Sequence, residues 1–119
     1  MKPTAVIGAS SDPSRYSFLA TNKLKQQGHK VYPLGIHEGN INGEAILTDK
    51  PQISNVDTVT MYVHPRNQKS WYDYILGLKP KRIIFNPGAE NAELENLAKQ
   101  QGIECLDACT LVMLSTGQY

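Results

Sequence analysis

Short runs of apolar residues alternate along the chain with longer stretches whose apolar positions recur every three or four residues. The runs predict five strands, at residues 4–7, 30–34, 57–63, 82–85 and 103–106. The stretches between them predict helices at 15–27, after the His64-Pro65 break, after an N-cap at Asn91, and as a last turn at 111–114. Because strands and helices alternate, the pattern predicts an α/β fold with a parallel sheet covered on both faces.

The spacing of these elements predicts a three-layer, Rossmann-like doubly wound sheet of about five strands. Right-handed crossovers favour the strand order 3-2-1-4-5 for such a sheet. Residues 35–55 have loop composition and room for at most a small strand or turn. We find no repeat, low-complexity segment or linker, so we expect residues 1–119 to form a single domain.

Composition narrows the class of protein. Charged residues make up 19% of the chain and the formal net charge is +1, which argues against a nucleic-acid-binding or membrane-surface protein. No apolar stretch reaches the ~18–20 residues of a membrane span, and we expect no leader sequence. The two cysteines, Cys105 and Cys109, fit no metal or redox motif. We therefore expect a cytoplasmic protein.

In doubly wound sheets the ligand lies beyond the carboxyl ends of the strands, at the topological switch point. Applied to this chain, that rule selects the segments 8–15, 33–37, 63–66 and 86–90. The first has the features of a phosphate loop. Backbone N–H groups follow Gly8 just before a helix, Ser10 and Ser11 offer hydroxyls, and Arg15 offers a cation. The alternative is that a serine only caps the helix.

This loop departs from the dinucleotide fingerprint G-x-G-x-x-G, because only Gly8 of the three glycines is present. The carboxylate that contacts the ribose of NAD at the end of the second strand is also missing. Glu38 is nearby, but it follows a turn. The sequence therefore disfavours NAD, although an NAD-binding or other nucleotide-binding redox module stays open as an alternative.

Six segments, taken together and in order, are similar to a known family. They read VIGASSDPSRYS, GHKVYPLG, INGEAILTD, VDTVTMYVHP, IIFNPGAENAEL and GIECLDACT. They resemble the stand-alone CoA-binding domains, which are similar to the first domain of the succinyl-CoA synthetase alpha chain. The resemblance spans roughly residues 4–110. It implies coenzyme A or an acyl-CoA as the ligand.

The resemblance also implies positions for the ligand contacts. The phosphate loop falls on Gly8, Ala9, Ser10, Ser11 and Pro13, with Arg15 and Tyr16 after it. The adenosine side falls on Pro33, Leu34 and Gly35. The turn after the third strand falls on Val63, His64, Pro65 and Arg66. The loop near the pantetheine arm falls on Asn86, Pro87, Gly88 and Ala89.

The chain departs from the family at two of these places. It reads VYPLGI where relatives often read VYPVNP, and Phe85-Asn86-Pro87-Gly88 where many have W-x-Q-x-G. The histidine of the synthetase reaction lies in a second domain without counterpart here, so the ligase reaction does not transfer.

We see no nucleophile–base pair in the predicted cleft, and we interpret His64 as neutral and structural. The sequence thus predicts a CoA-binding domain without chemistry of its own. A partner subunit with a degenerate site is the remaining alternative. The apolar tail TLVMLSTGQY suggests packing against the domain or a second copy, and an enzyme that uses acyl-CoA is a further possible partner.

Overall fold

The computed structural model describes residues 1–119. Its central sheet consists of β1 (Thr4–Ile7), β2 (Val31–Leu34), β5 (Thr58–Met61), β6 (Arg82–Phe85) and β7 (Glu104–Asp107). Its helices are α1 (Tyr16–Gln26), α2 (Tyr72–Leu78), α3 (Ala92–Lys99) and α4 (Thr110–Ser115). Within the predicted loop 35–55, the short strands β3 (Asn40–Ile41) and β4 (Glu44–Ala45) form a small hairpin.

The five strands are parallel and lie in the order β2-β1-β5-β6-β7. A single parallel bridge between Leu34 and Leu47 extends the sheet beyond β2. The chain starts at β1 inside the sheet, runs outward to β2, and then continues through β5, β6 and β7 on the other side of β1, which is a doubly wound order. The predicted Rossmann-like, doubly wound α/β fold is confirmed.

Alternate residues of the strands face two layers of helices. Ala5, Ile7 and Phe85 belong to the larger apolar cluster, which includes Ile75 of α2 and Leu94 of α3. On the other face, Val6 and Val31 pack with Leu24 of α1 and Leu114 of α4. The tail that begins at α4 therefore packs against its own domain.

Local sequence explains where the elements begin and end. Asn91 caps α3 as predicted, because its Oδ1 accepts from the N–H groups of Glu93 (3.1 Å) and Leu94 (3.2 Å). Two short 3₁₀ turns, Pro65–Asn67 and Lys69–Trp71, precede α2 and replace the start of a longer helix. No helix is long and apolar enough to cross a bilayer.

Candidate functional site

An open cleft of about 940 Å³ lies beyond the carboxyl ends of β1, β2 and β5. A smaller chamber of about 270 Å³ adjoins it on the β6 side. The two share Gly8, Ser10, Arg15, Tyr62 and His64 along their linings. This is the switch point of the sheet, since the chain passes from β1 to β2 on one side and returns to β5 on the other. The cleft has the volume of a cofactor site.

Gly8 brings the first loop against the end of β5. Its φ is +92°, and an added Cβ would lie 3.0 Å from Val63 Cγ2 and 3.1 Å from the carbonyl carbon of Tyr62. The N–H groups of Gly8 and Ala9 both donate to the carbonyl of Leu34, at 2.9 Å. The loop is thus fixed between the two strands that neighbour β1, and only glycine fits at this turn.

The loop after Gly8 is organised by its own side chains. Ser10 Oγ accepts from the N–H of Asp12 (3.1 Å), and Asp12 Oδ1 accepts from the N–H (3.0 Å) and hydroxyl (2.8 Å) of Ser14. The hydrogen bond from the Ser14 backbone, more than any other contact, lowers the pKa of Asp12. Arg15 lies 3.8 Å from this carboxylate, and both side chains are exposed. A guanidinium in so weak a pair is available to an anionic ligand.

The amide donors at the start of α1 remain free. No side chain caps the helix, so the alternative reading of the serines as simple caps does not hold. The N–H groups of Ser10, Ser11, Tyr16 and Ser17 have no acceptor within the chain. Tyr16 and Ser17 lie in the first turn of α1, at its positive end, and Ser10 and Ser11 lie in the loop before it. Together they form an arrangement of donors suited to phosphate oxygens.

The second segment approaches the loop through glycines. A Cβ on Gly35 would lie 2.7 Å from the Ala9 carbonyl oxygen, and one on Gly39 would lie 3.0 Å from Ser11 Cβ. The departure from the family pattern at Gly35 therefore has a physical reason, since the chain passes too close to the loop for a side chain. Gly35 lines the cleft, and so do the residues that follow it, Ile36, His37 and Glu38.

Pro33 and Leu34 support this segment and do not line the cleft. Both side chains are buried within β2. The carbonyl of Pro33 accepts from Leu47 (2.9 Å), while the carbonyl of Leu34 holds Gly8 and Ala9.

Val63, His64 and Arg66 line the cleft on the β5 side, while Pro65 does not. The Nδ1 of His64 accepts from the N–H of Arg66 (3.2 Å) and starts the first 3₁₀ turn. A neutral ring in this arrangement carries its proton on Nε2. The two turns then carry Lys69 back to the cleft wall.

The fourth segment divides between the smaller chamber and the core. Pro87, Gly88 and Ala89 line the chamber together with Tyr16. Asn86 does not, because its side chain is buried. Its Nδ2 donates to Thr60 Oγ1 (2.7 Å) and to the Met61 carbonyl (2.9 Å), and its Oδ1 accepts from the Thr110 N–H (2.8 Å). Pro13 lines neither space.

Several lining residues were not predicted from the sequence. They are Glu38, Ile46, Tyr62, Asn67, Lys69, Ser70 and Trp71 in the cleft and Ser17 in the smaller chamber. Tyr62 lies within the predicted third strand, and strand alternation alone does not show that it reaches the cleft. Its hydroxyl is buried without a hydrogen-bond partner, and burial raises its pKa. The helical spacing of Trp71, Tyr74, Ile75 and Leu78 predicts that Trp71 packs in the core, and it is buried while one part of it lines the cleft.

Solved structures share this architecture over nearly the whole chain. A crystal structure of an uncharacterized protein is 50% identical over 100% of this chain and 98% of its own, with a TM-score of 0.98. A hypothetical protein from Pyrococcus horikoshii OT3 is 20% identical over 97% and 82%, with a TM-score of 0.87. Cell-free ID.343 from Thermus thermophilus is 24% identical over 99% and 90%, with a TM-score of 0.85. The last two show the fold alone.

No curated protein matches the sequence. The sequence model of one family, described as CoA binding domain, matches residues 2–115. That match covers almost the entire chain, and it includes the glycine loop, the cleft and the strands that position them. The chain therefore belongs to the CoA binding domain family.

Proposed function

We propose that the cleft binds coenzyme A or an acyl-CoA, with the diphosphate on the loop from Gly8 to Arg15. The observation that carries this proposal is the set of free amides at Ser10, Ser11 and the first turn of α1, beside an exposed guanidinium. Such donors bind phosphate without further chemistry. Membership of the CoA binding domain family supports the choice of CoA among phosphate-bearing ligands.

In this proposal, the open cleft and the smaller chamber hold the two ends of the ligand. The larger one, walled by residues 35–38 and the 3₁₀ turns, has room for adenosine, and the side chain of Ile36 is 78% exposed there. The smaller one extends past Tyr16 to Pro87 and Gly88, and it suits the narrow pantetheine arm. In this arrangement Pro33, Leu34 and Asn86 support the contacting segments from behind.

We further propose that the domain has no chemistry of its own. His64 Nδ1 accepts from the backbone N–H of Arg66, so this nitrogen is used in the turn that His64 starts. General-base catalysis of the usual kind needs the base to be within hydrogen-bond reach of a nucleophile. A homodimer, or an enzyme that consumes acyl-CoA, stays a predicted partner that light scattering and pull-down would test.

A second candidate is an NAD-binding module, and one observation favours it. Glu38 lines the larger chamber just beyond β2, where a carboxylate could accept from the ribose hydroxyls of NAD. The missing fingerprint glycines argue against it. Because CoA carries a phosphate on the ribose, a carboxylate there would repel CoA. The carboxylate of Glu38 would therefore favour binding of NAD and oppose binding of CoA.

Calorimetric titration with CoA, acetyl-CoA, NAD and ATP tests the proposal. We expect heat of binding with the two CoA compounds and none with NAD or ATP at matched concentrations. Absence of CoA binding at millimolar concentration would refute the proposal, and binding of NAD alone would establish the second candidate. Native mass spectrometry of freshly purified protein provides an independent test, because a bound CoA species adds a defined mass.

A further inference from the structure

A buried amide joins the two loops on either side of the smaller chamber. Gln68 is 0% exposed, and its Nε2 donates to the carbonyl of Val63 (2.8 Å) and to that of Ala89 (2.7 Å). Val63 precedes His64 in the β5 loop, and Ala89 follows Gly88 in the β6 loop. One side chain thus holds the backbone of both loops. The pairing of β5 with β6 ends before them, at Met61 and Phe85.

The remaining atom of that amide is also occupied. Gln68 Oε1 accepts from Asn91 Nδ2 (2.9 Å), while Asn91 Oδ1 caps α3. The amide therefore has a fixed orientation, with two donors toward carbonyls and one acceptor toward an amide. A glutamate or an apolar residue of the same length could not satisfy both carbonyls.

We infer that Gln68 is a positioning residue that sets the separation of the two loops, and hence selects what enters the smaller chamber. Gln68 itself lines neither space, so it acts only through the residues that it holds. This inference rests on the proposed function, in which the pantetheine arm occupies the chamber. We expect Gln68 to affect binding of the pantetheine arm and not of the diphosphate, because its side chain makes no hydrogen bond to residues 8–15.

Replacing Gln68 by methionine tests this role, since methionine has similar length and no donor. For each ligand, calorimetry would compare the variant with the wild type, using CoA and adenosine 3′,5′-bisphosphate, which lacks the arm and the outer phosphate of the 5′-diphosphate. We expect about tenfold weaker binding of CoA, the equivalent of one lost hydrogen bond, and at most about a twofold change for the bisphosphate. Equal losses for both ligands, or no loss for CoA, would overturn the inference.

Tyr72→Phe is the matched control. Tyr72 donates to Glu93 Oε1 (3.0 Å) and accepts from Asn91 Nδ2 (2.8 Å), so this variant removes the outer end of the same network and leaves the Gln68 bonds in place. We expect it to bind both ligands as the wild type does. If Gln68→Met fails to fold, Gln68→Leu removes both donors without burying a charge and is expected to show the same selective loss.

Amide hydrogen exchange of the unliganded protein separates this inference from the proposed function. Gln68→Met is expected to speed exchange at residues 63–67 and 88–91 and leave residues 8–15 unchanged. Unaltered exchange in both loops would overturn the positioning role, whatever the ligand. Faster exchange in a protein that binds no CoA would instead refute the proposed function and leave the loop contact established.

Discussion

At the scale of single residues, the loop that we propose binds phosphate depends on the absence of a side chain at position 8. The φ of Gly8 is +92°, and a Cβ there would press on Val63 and on the backbone of Tyr62. We expect Gly8→Ala to lower the free energy of unfolding by about 1–3 kcal/mol, the range for backbone strain, and to weaken CoA binding by moving the loop. Urea denaturation and calorimetry would measure the two effects.

Gly28→Ala is a suitable control for that prediction. Gly28 has a similar φ of +85°, but no atom lies within 4 Å of the added Cβ. It precedes β2, and so lies near the amino end of that strand, away from the cleft. It should incur the conformational cost, about 1 kcal/mol, and leave CoA affinity intact. Equal CoA affinity in Gly8→Ala and the wild type would contradict the role given to Gly8.

Arg15 acts at the same scale through its charge. A charge-assisted hydrogen bond to phosphate contributes about 1.5–3 kcal/mol, so we expect Arg15→Ala to weaken CoA binding about tenfold or more. Pantetheine, which has no phosphate, should bind the variant and the wild type equally. Lys23→Ala, an equal change of charge in the last turn of the same helix, should leave CoA binding unchanged. Equal losses for CoA and pantetheine would argue against phosphate contact.

At the scale of elements, a buried polar network joins β5, β6 and α4 on one face of the sheet. Thr60 and Thr110 share a hydrogen bond (2.8 Å), and Asn86 bonds both residues and the carbonyl of Met61. Such a network stabilises the fold only when every member is satisfied. It fixes how α4 sits on the sheet, and it sets the start of the loop that enters the smaller chamber.

We expect Asn86→Ala to lower the free energy of unfolding by about 2–4 kcal/mol, because it leaves buried donors and acceptors unpaired. CoA affinity of the folded variant should change little, since the side chain lies behind the loop. Asn96→Ala on the exposed face of α3 is the control, with an expected change under about 0.5 kcal/mol. A large loss of affinity with unchanged stability would restore Asn86 as a ligand contact.

The same network shows what the sequence could and could not predict. Hydrophobic patterning located the five strands of the central sheet and the main helices, because each contains buried apolar positions, but it did not locate the short strands β3 and β4. The rule that ligands lie beyond the carboxyl ends of strands selected residues 8–15, and Gly8, Ser10 and Arg15 line the cleft, since a strand end fixes the position of the backbone. It did not show which way the side chain of Asn86 points, because that depends on Thr110, which lies 24 residues further along the chain.

The two 3₁₀ turns before α2 could not be predicted from the sequence for a related reason. A helical period assigned Trp71 to the core, which is where most of its ring lies. The period did not reveal the two tight turns before α2, and these bring Lys69 and the edge of Trp71 to the cleft. The role of Gln68 could not be predicted from the sequence, because its partners, Val63 and Ala89, lie in loops that only the folded sheet brings together.

At the scale of the whole molecule, the proposed ligand cleft and a second polar cluster occupy opposite ends of the sheet. At the amino ends of the strands, the Tyr119 ring packs edge-on against His29 and beneath the cations of Lys2 and Arg82. Arg82 also donates to the Tyr119 carbonyl (2.8 Å) and to Thr58 Oγ1 (2.8 Å). This cluster joins both ends of the chain to the sheet, so it bears on stability rather than on binding.

His29 makes that stability sensitive to pH. Its Nδ1 accepts from the N–H of Lys2 (2.9 Å), so the bond requires an unprotonated Nδ1. Burial, and then the neighbouring cations that include Lys2 and Arg82, lower the pKa of His29 below 6.5, while Asp57 opposes them. As pH falls through 6.5, the unfolded chain takes up a proton before the folded one does. The free energy of unfolding should therefore decrease from pH 7.5 to pH 5.5.

Urea denaturation at these two pH values tests this assignment in wild type, His29→Gln and the exposed-loop control His37→Gln. We expect the decrease to be smaller in His29→Gln than in the other two proteins, and an identical decrease in all three would contradict the assignment.

Saturating CoA should raise the free energy of unfolding equally in His29→Gln and wild type at pH 7.5, by about 2.7 kcal/mol at a hundred times Kd. Equal stabilisation follows because the ligand contacts the carboxyl ends of the strands, whereas His29 acts at their amino ends.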